Sequence, residues 1–177
     1  MKMIETPIKD LRILEPKVFG DERGFFMETF RAEWLPEYQF VQDNHSKSMK
    51  RTLRGLHYQF NQPQGKLVQA TVGEVFDVAV DLRRSSKTFG QWYGVVLSSE
   101  NKRMLWVPPG FAHGFMVLSE SAEFQYKCTD YYAPEDEHGI LWNDPDLAID
   151  WPLAAGEPIL SAKDSQAKSF KDAVYYD

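Results

Sequence analysis

The stretch EVFDVAVDL, residues 74–82, limits the fold more than any other part of the chain. Phe76, Val78, Val80 and Leu82 fall on one side of an extended strand, and Asp77, Ala79 and Asp81 fall on the other. At a helical period of 3.6 the same residues would scatter around the axis and leave no apolar stripe, so period two selects a strand. QWYGVVLSS, KRMLWVP, HGFMVLS and AEFQYKCTDYY repeat the theme with aromatic and β-branched residues that suit a pleated surface. Glycine and proline punctuate these runs, and no long helical pattern separates them. Closely spaced strands without crossover helices imply a mainly β chain, an antiparallel sandwich or barrel with a few short helices. RAEWL before Pro36 is one expected helix, and SAKDSQAKSFKDA near the C-terminus is another.

No repeat, linker or low-complexity block divides the 177 residues, so one domain over 1–177 is expected. No apolar run approaches the length of about 18 residues that a membrane helix needs, and MKMIETPIKD lacks the apolar core of a secretory leader. The single cysteine, Cys128, has no partner for an internal disulfide and reads as core filler, which suits a reducing, cytoplasmic setting. Acidic residues outnumber basic ones, 26 to 20, which argues against a nucleic-acid partner. A small anion needs only a few local cations and stays compatible with that balance.

Within RTLRGLHYQFNQPQGKLVQ, residues 51–69, His57 lies between Arg54 and Lys66. A lone histidine is a metal ligand, a proton-transfer group or a satisfied structural residue. PPGFAH, ending at His113, has the P-x-G-x-x-H form of the second motif of cupin barrels, but His57-Tyr58-Gln59 stands where their first motif has H-x-H. Two histidines without further ligands in register make a poor transition-metal site, so a barrel without metal is expected. A histidine base that removes a proton beside a carbonyl needs a cation at the developing enolate oxygen, and Lys66 is the nearest candidate in sequence. On the residues alone Lys66, after Pro63-Gln64-Gly65, reads first as a solvated loop lysine, and Arg54, before Gly55, as a cation that faces solvent or binds a carboxylate.

Other stretches have plain structural readings. Ser161-Ala162-Lys163-Asp164 has capping-box spacing. DERGFF, residues 21–26, reads as a turn at Asp21 and Gly24 feeding a strand, and YAPEDEHG, 132–139, as an acidic surface loop. His45 and His138 sit in polar surroundings and read as solvent-facing. In AEFQYKC, Phe124, Tyr126 and Cys128 share one face, and if that face lines a barrel, the Tyr126 hydroxyl points inward and needs a partner.

Taken in order, DERGFFMETF, QDNHSKS, LRGLHYQ, QGKLVQ, VPPGFAHGF, YKCTDYYAPEDEHGI, WNDPDLAIDWP and LSAKD closely resemble the dTDP-4-dehydrorhamnose 3,5-epimerase family, from about residue 4 to residue 164. The resemblance implies a cupin-type β-barrel (jelly roll), usually a homodimer, with no metal or organic cofactor. It implies a small-molecule substrate, dTDP-4-keto-6-deoxyglucose, inverted at C3 and C5 on the way to dTDP-L-rhamnose. By similarity His57 is the base, Asp164 orients it, Tyr126 is the acid on the opposite face of the sugar, and Lys66 holds the enolate oxygen. For substrate binding the resemblance assigns Arg23, Glu28, Gln42, Asn44, Arg54, His113, Glu137 and Lys163, with Tyr132 stacked on the thymine.

Three readings compete. A relative that inverts only C3 or only C5 would share these motifs, because one acid and one base serve both carbons. A 3,4-ketoisomerase fits RGLHYQ and YKCTDYY less well. A non-catalytic sugar-binding barrel would have no reason to keep a base, an enolate cation and an opposed tyrosine together.

Overall fold

The computed structural model describes residues 1–177, apart from the side chain of residue 155. Thirteen strands carry the fold: β1 (Lys2–Glu5), β2 (Arg12–Glu15), β3 (Val18–Asp21), β4 (Gly24–Met27), β5 (Gln42–Met49), β6 (Leu53–Gln59), β7 (Lys66–Val72), β8 (Glu74–Asp81), β9 (Trp92–Ser98), β10 (Met104–Val107), β11 (Phe111–Val117), β12 (Ser121–Cys128) and β13 (Glu137–Gly139). They form a six-stranded sheet, β1-β2-β10-β7-β12-β5, facing a five-stranded sheet, β13-β6-β11-β8-β9. Every strand pairing is antiparallel, and β3 and β4 form a separate hairpin. This is the expected jelly-roll barrel.

Side chains from both sheets meet in the barrel. Val68, Ala70, Leu105 and Phe124 come from one sheet, and Val75, Ala79, Leu97 and Phe115 from the other. The Phe115 and Phe124 rings stack across the interface with centroids 4.3 Å apart. Each buried valine, leucine or phenylalanine among them contributes about 1.5–3 kcal/mol by leaving water, and the two alanines less.

The face of β8 formed by Val78, Val80 and continuing to Leu82 points away from this interior. It packs under the C-terminal segment, against Trp142, Leu147, Trp151 and Phe170. The five-stranded sheet is therefore covered on both sides, and the face carrying Asp77 and Ala79 lines the barrel. On β12 the expected parity holds: Phe124 and Cys128 are buried, and Tyr126 packs against the interior.

The helices are shorter than the sequence suggests. RAEWL forms one 3-10 turn, Ala32–Trp34, ahead of Pro36. SAKDSQAKSFKDA splits into the single turn α1 (Ala162–Ser165) and a 3-10 turn, Phe170–Asp172, each capped by a serine. The chain between them instead bridges to the barrel, where Lys168 pairs with Ile140, and these tertiary bonds outcompete a continuous helix of modest propensity. No helix among the described residues is long and apolar enough to cross a membrane.

Gly55 permits the central strand approach on which the site depends. Its φ is +119°, and a Cβ there would lie 2.6 Å from Gly114 Cα and 2.7 Å from the His113 carbonyl oxygen. Any side chain at 55 would push β6 from β11 and separate His57 from His113, which are direct partners in the ladder.

Candidate active site

His57 projects from β6, and its Nε2 lies 2.5 Å from Asp164 Oδ1. Asp164 is 3% exposed and sits in α1, where its backbone N–H donates to Ser161 Oγ while the Ser161 hydroxyl donates to Asp164 Oδ2. The capping reading and the His57 contact are therefore both present: the cap aims the carboxylate at the ring. Burial alone would push the Asp164 carboxyl up, but bonds from His57 and Ser161 outweigh it and hold it below the usual carboxylate range.

With Nε2 occupied, Nδ1 is the free ring nitrogen. It lies 3.7 Å from Glu137 Oε1. Glu137 arrives there because 137–139 forms β13 and pairs with β6, Glu137 opposite Gln59 and Gly139 opposite His57. The segment 132–139 is thus more than an acidic surface loop. Its Asp136 is buried and accepts the backbone N–H groups of Asn61 and Gln62. Unpaired backbone donors at the end of β6 make that carboxylate structural. His138 is half-buried, its ring stacked on Tyr58 with centroids 5.4 Å apart, whereas His45 is exposed as expected and meets Glu123.

The opposing sheet supplies Tyr126 from β12 and Lys66 from β7. Both line the same two cavities as His57. One, of about 470 Å³, also touches Arg54, His113, Lys163 and Asp164. The other, of about 350 Å³, also touches Gln42, Asn44, Tyr132 and Glu137. Burial pushes the Tyr126 hydroxyl above its ordinary pKa, against the pull of Arg54, so it is a protonated donor at neutral pH. Burial acts in the opposite direction on Lys66, lowering the pKa of its ammonium, while the nearby Cys128, Glu137 and Asp77 favour its charge. Cys128 is fully buried and takes a 3.6 Å contact from Asn44 Nδ2, in keeping with a packing role.

At the mouth, the Tyr132 hydroxyl donates to Glu137 Oε2 at 2.7 Å, which pushes its pKa to about 12, and its backbone N–H donates to Gln42 Oε1. Lys163 Nζ bonds the same Glu137 oxygen. Arg54 Nε donates to Ser48 Oγ at 3.0 Å. Arg54 and Lys163 thus place cationic donors at these cavities in a chain of net charge -6, the local groups an anionic ligand can use.

Eleven of the thirteen residues singled out from sequence line these two cavities: Gln42, Asn44, Arg54, His57, Lys66, His113, Tyr126, Tyr132, Glu137, Lys163 and Asp164. Arg23 and Glu28 do not. Arg23 sits at the tip of the β3–β4 hairpin and bonds Asp21, and Glu28 pairs with Arg31 at 3.1 Å. Sequence reasoning missed Asp77, which is fully buried and receives His113 Nε2 on both oxygens, at 2.9 and 3.0 Å. An aspartate in the middle of an otherwise apolar strand was the available signal.

The arrangement has known counterparts. The family model described as dTDP-4-dehydrorhamnose 3,5-epimerase matches residues 5–172. A dTDP-4-dehydrorhamnose 3,5-epimerase of Pseudomonas aeruginosa is 61% identical, over 98% of this chain and 98% of its own. The crystal structure of a dTDP-6-deoxy-D-glucose-3,5-epimerase from Legionella pneumophila, in complex with dTDP-4-keto-L-rhamnose, superposes with a TM-score of 0.94 at 58% identity, covering 98% of this chain and 94% of that one. A dTDP-4-dehydrorhamnose 3,5-epimerase structure from Elizabethkingia anophelis gives 0.93 at 51% identity, covering 99% of both chains.

Proposed function

The chain belongs to the dTDP-4-dehydrorhamnose 3,5-epimerase family, and from that premise we propose that it is an isomerase that converts dTDP-4-keto-6-deoxy-D-glucose to dTDP-4-keto-L-rhamnose. The observation that carries this reading is the opposition of His57, backed by Asp164, to Tyr126 and Lys66 across cavities lined by both sheets. His57 Nδ1 removes the proton on C3 or C5, the two carbons that flank the ketone. The charge that develops on the ketone oxygen is held by the Lys66 ammonium, which has no side-chain hydrogen-bond partner among the described residues. Tyr126 returns a proton to the opposite face, and the carbon is inverted. Arg54 and Lys163 supply the donors for a diphosphate beside His113, and the half-exposed Tyr132 ring offers the thymine a stacking face.

Proton NMR of dTDP-4-keto-6-deoxyglucose in heavy water, with chelator-treated protein, tests the assignment. The C3 and C5 signals should both disappear as dTDP-4-keto-L-rhamnose forms. Loss of one signal alone would make this a single-carbon epimerase, and loss of neither would overturn the reading.

A cytoplasmic homodimer is part of the same proposal. Phe19, Phe25 and Phe26 on the β3–β4 hairpin are 52, 60 and 66% exposed, an apolar surface that a lone chain leaves in water. β1 is an edge strand whose outer side has no paired strand among the described residues. In a two-fold pair the hairpin would carry Arg23 and Glu28 into the partner's cavity, which gives the two unplaced residues the binding role that resemblance assigns them. Light scattering at micromolar concentration should give twice the chain mass. A monomer mass would remove the dimer, and recovery of the protein outside the cytoplasm on cell fractionation would remove the compartment.

A further inference from the structure

Two inversions of one bound sugar require a reset. After the first, His57 holds a proton that it must lose, and Tyr126 lacks one that it must regain. On the Nε2 side, Asp164 is held by the hydroxyl of Ser161 and keeps His57 in place. On the Nδ1 side, Glu137 Oε1 is 3.7 Å away, and a shift of under about 1 Å brings the pair to hydrogen-bond distance.

Behind this pair lies a third cavity, of about 310 Å³, lined by His57, Glu137, Gly139, Asp164, Ala167 and Lys168 among others. Arg54, Lys66 and Tyr126 do not line it, so it approaches the base from the side away from the enolate cation and the acid. Lys168 and Lys163, at its rim, are exposed. Glu137 is ionised: burial would raise its pKa, but bonds from Lys163 and Tyr132 and the charge of His57 hold it down, so it carries a proton only in passing and yields it readily to water.

We propose that Glu137 and this rear cavity form the path by which the proton taken by His57 leaves for solvent between the two inversions. The inference rests on the epimerase reading. The C–H bond breaks and its proton goes to Nδ1. The N–H bond then breaks as Glu137 Oε1 takes the proton, leaving neutral imidazole and a neutral carboxyl group. A water in the rear cavity removes it and restores the carboxylate. Tyr126, left as phenolate, takes one proton from solvent on the opposite side, so each inversion is proton-neutral.

Three variants test this in single turnovers with protein in excess, with singly and doubly inverted sugar resolved by NMR. Glu137→Gln cannot accept a proton. Because it also alters binding, both inversions should slow, the second at least about tenfold more than the first, the scale of a lost proton-transfer group. Ala167→Leu fills the rear cavity from outside the binding machinery. Its first inversion should stay within about threefold of the unaltered protein, while the second slows about tenfold and singly inverted sugar accumulates. Gly139→Ala is the mild version, since its Cβ would lie 3.4 Å from Ala167 Cβ and 3.9 Å from His57 Cδ2, ordinary contacts that preserve the fold. It should shift the product ratio in the same direction. Equal slowing of both inversions in all three variants would overturn the relay alone. Failure of the unaltered protein to invert both carbons would overturn the epimerase reading and, with it, the need for a reset.

Discussion

His57→Ala should abolish solvent exchange at both C3 and C5, a loss of about 10³-fold or more, near the upper part of the range for a positioned general base. His57 is the only histidine among the described residues that lines both cavities, and Lys66, which also lines both, is assigned to the enolate oxygen. The variant also strands Asp164, whose buried carboxylate loses its ring partner while keeping Ser161. That costs about 1–3 kcal/mol of stability, so urea unfolding should accompany the kinetics. A variant that is folded at the assay temperature and inactive supports His57 as the base. Full exchange at both carbons from folded His57→Ala protein would mean that another group takes the proton.

Tyr126→Phe should separate exchange from inversion. The phenyl ring keeps the contact with Phe124, now at 6.2 Å between centroids, and the strand partnership with Asn44 and Val68, so the cavity wall survives. His57 and Lys66 still form the enolate. Without a donor on the far face, the enolate regains its proton from His57, on the face it left. In heavy water the substrate should therefore take up deuterium at C3 and C5 while product formation falls about 10²–10⁴-fold, the range for loss of a general acid. Inversion within a few-fold of the unaltered protein would remove Tyr126 from that role. Exchange that died together with inversion would show that the hydroxyl is needed to form the enolate, and Lys66 would then share the oxyanion with it.

Much of this molecule is written in local pattern. The alternation in 74–82 and 122–128 is a direct consequence of the two-residue period of a strand, so the β class and the shared face of Phe124, Tyr126 and Cys128 follow without tertiary information. The motifs RGLHYQ, QGKLV, YKCTDYY and LSAKD pointed to His57, Lys66, Tyr126 and Asp164 through resemblance, and the fold gathers all four around one pair of cavities. Period two says that a strand has two faces but does not say what covers each. Val78 and Val80 look like the barrel's lining, yet they lie under the C-terminal segment, because the five-stranded sheet is sandwiched and Asp77 finds its partner in His113 inside.

What only the tertiary structure decided are matters of long-range pairing. The acidic run 132–139 becomes β13 because β6 has a free edge to satisfy, and that pairing brings Glu137 within 3.7 Å of the base across 80 positions of chain. The C-terminal segment gives up a continuous helix to cover the outer sheet and deliver Asp164. Arg23 and Glu28 remain on an exposed hairpin, where no property of one chain brings them to the cavity. Side-chain periodicity and motif chemistry are encoded over a few residues and are legible there. Which edge is paired, which face is covered and which carboxylate meets which ring depend on the free energy of the whole assembled surface, which no short stretch of sequence contains.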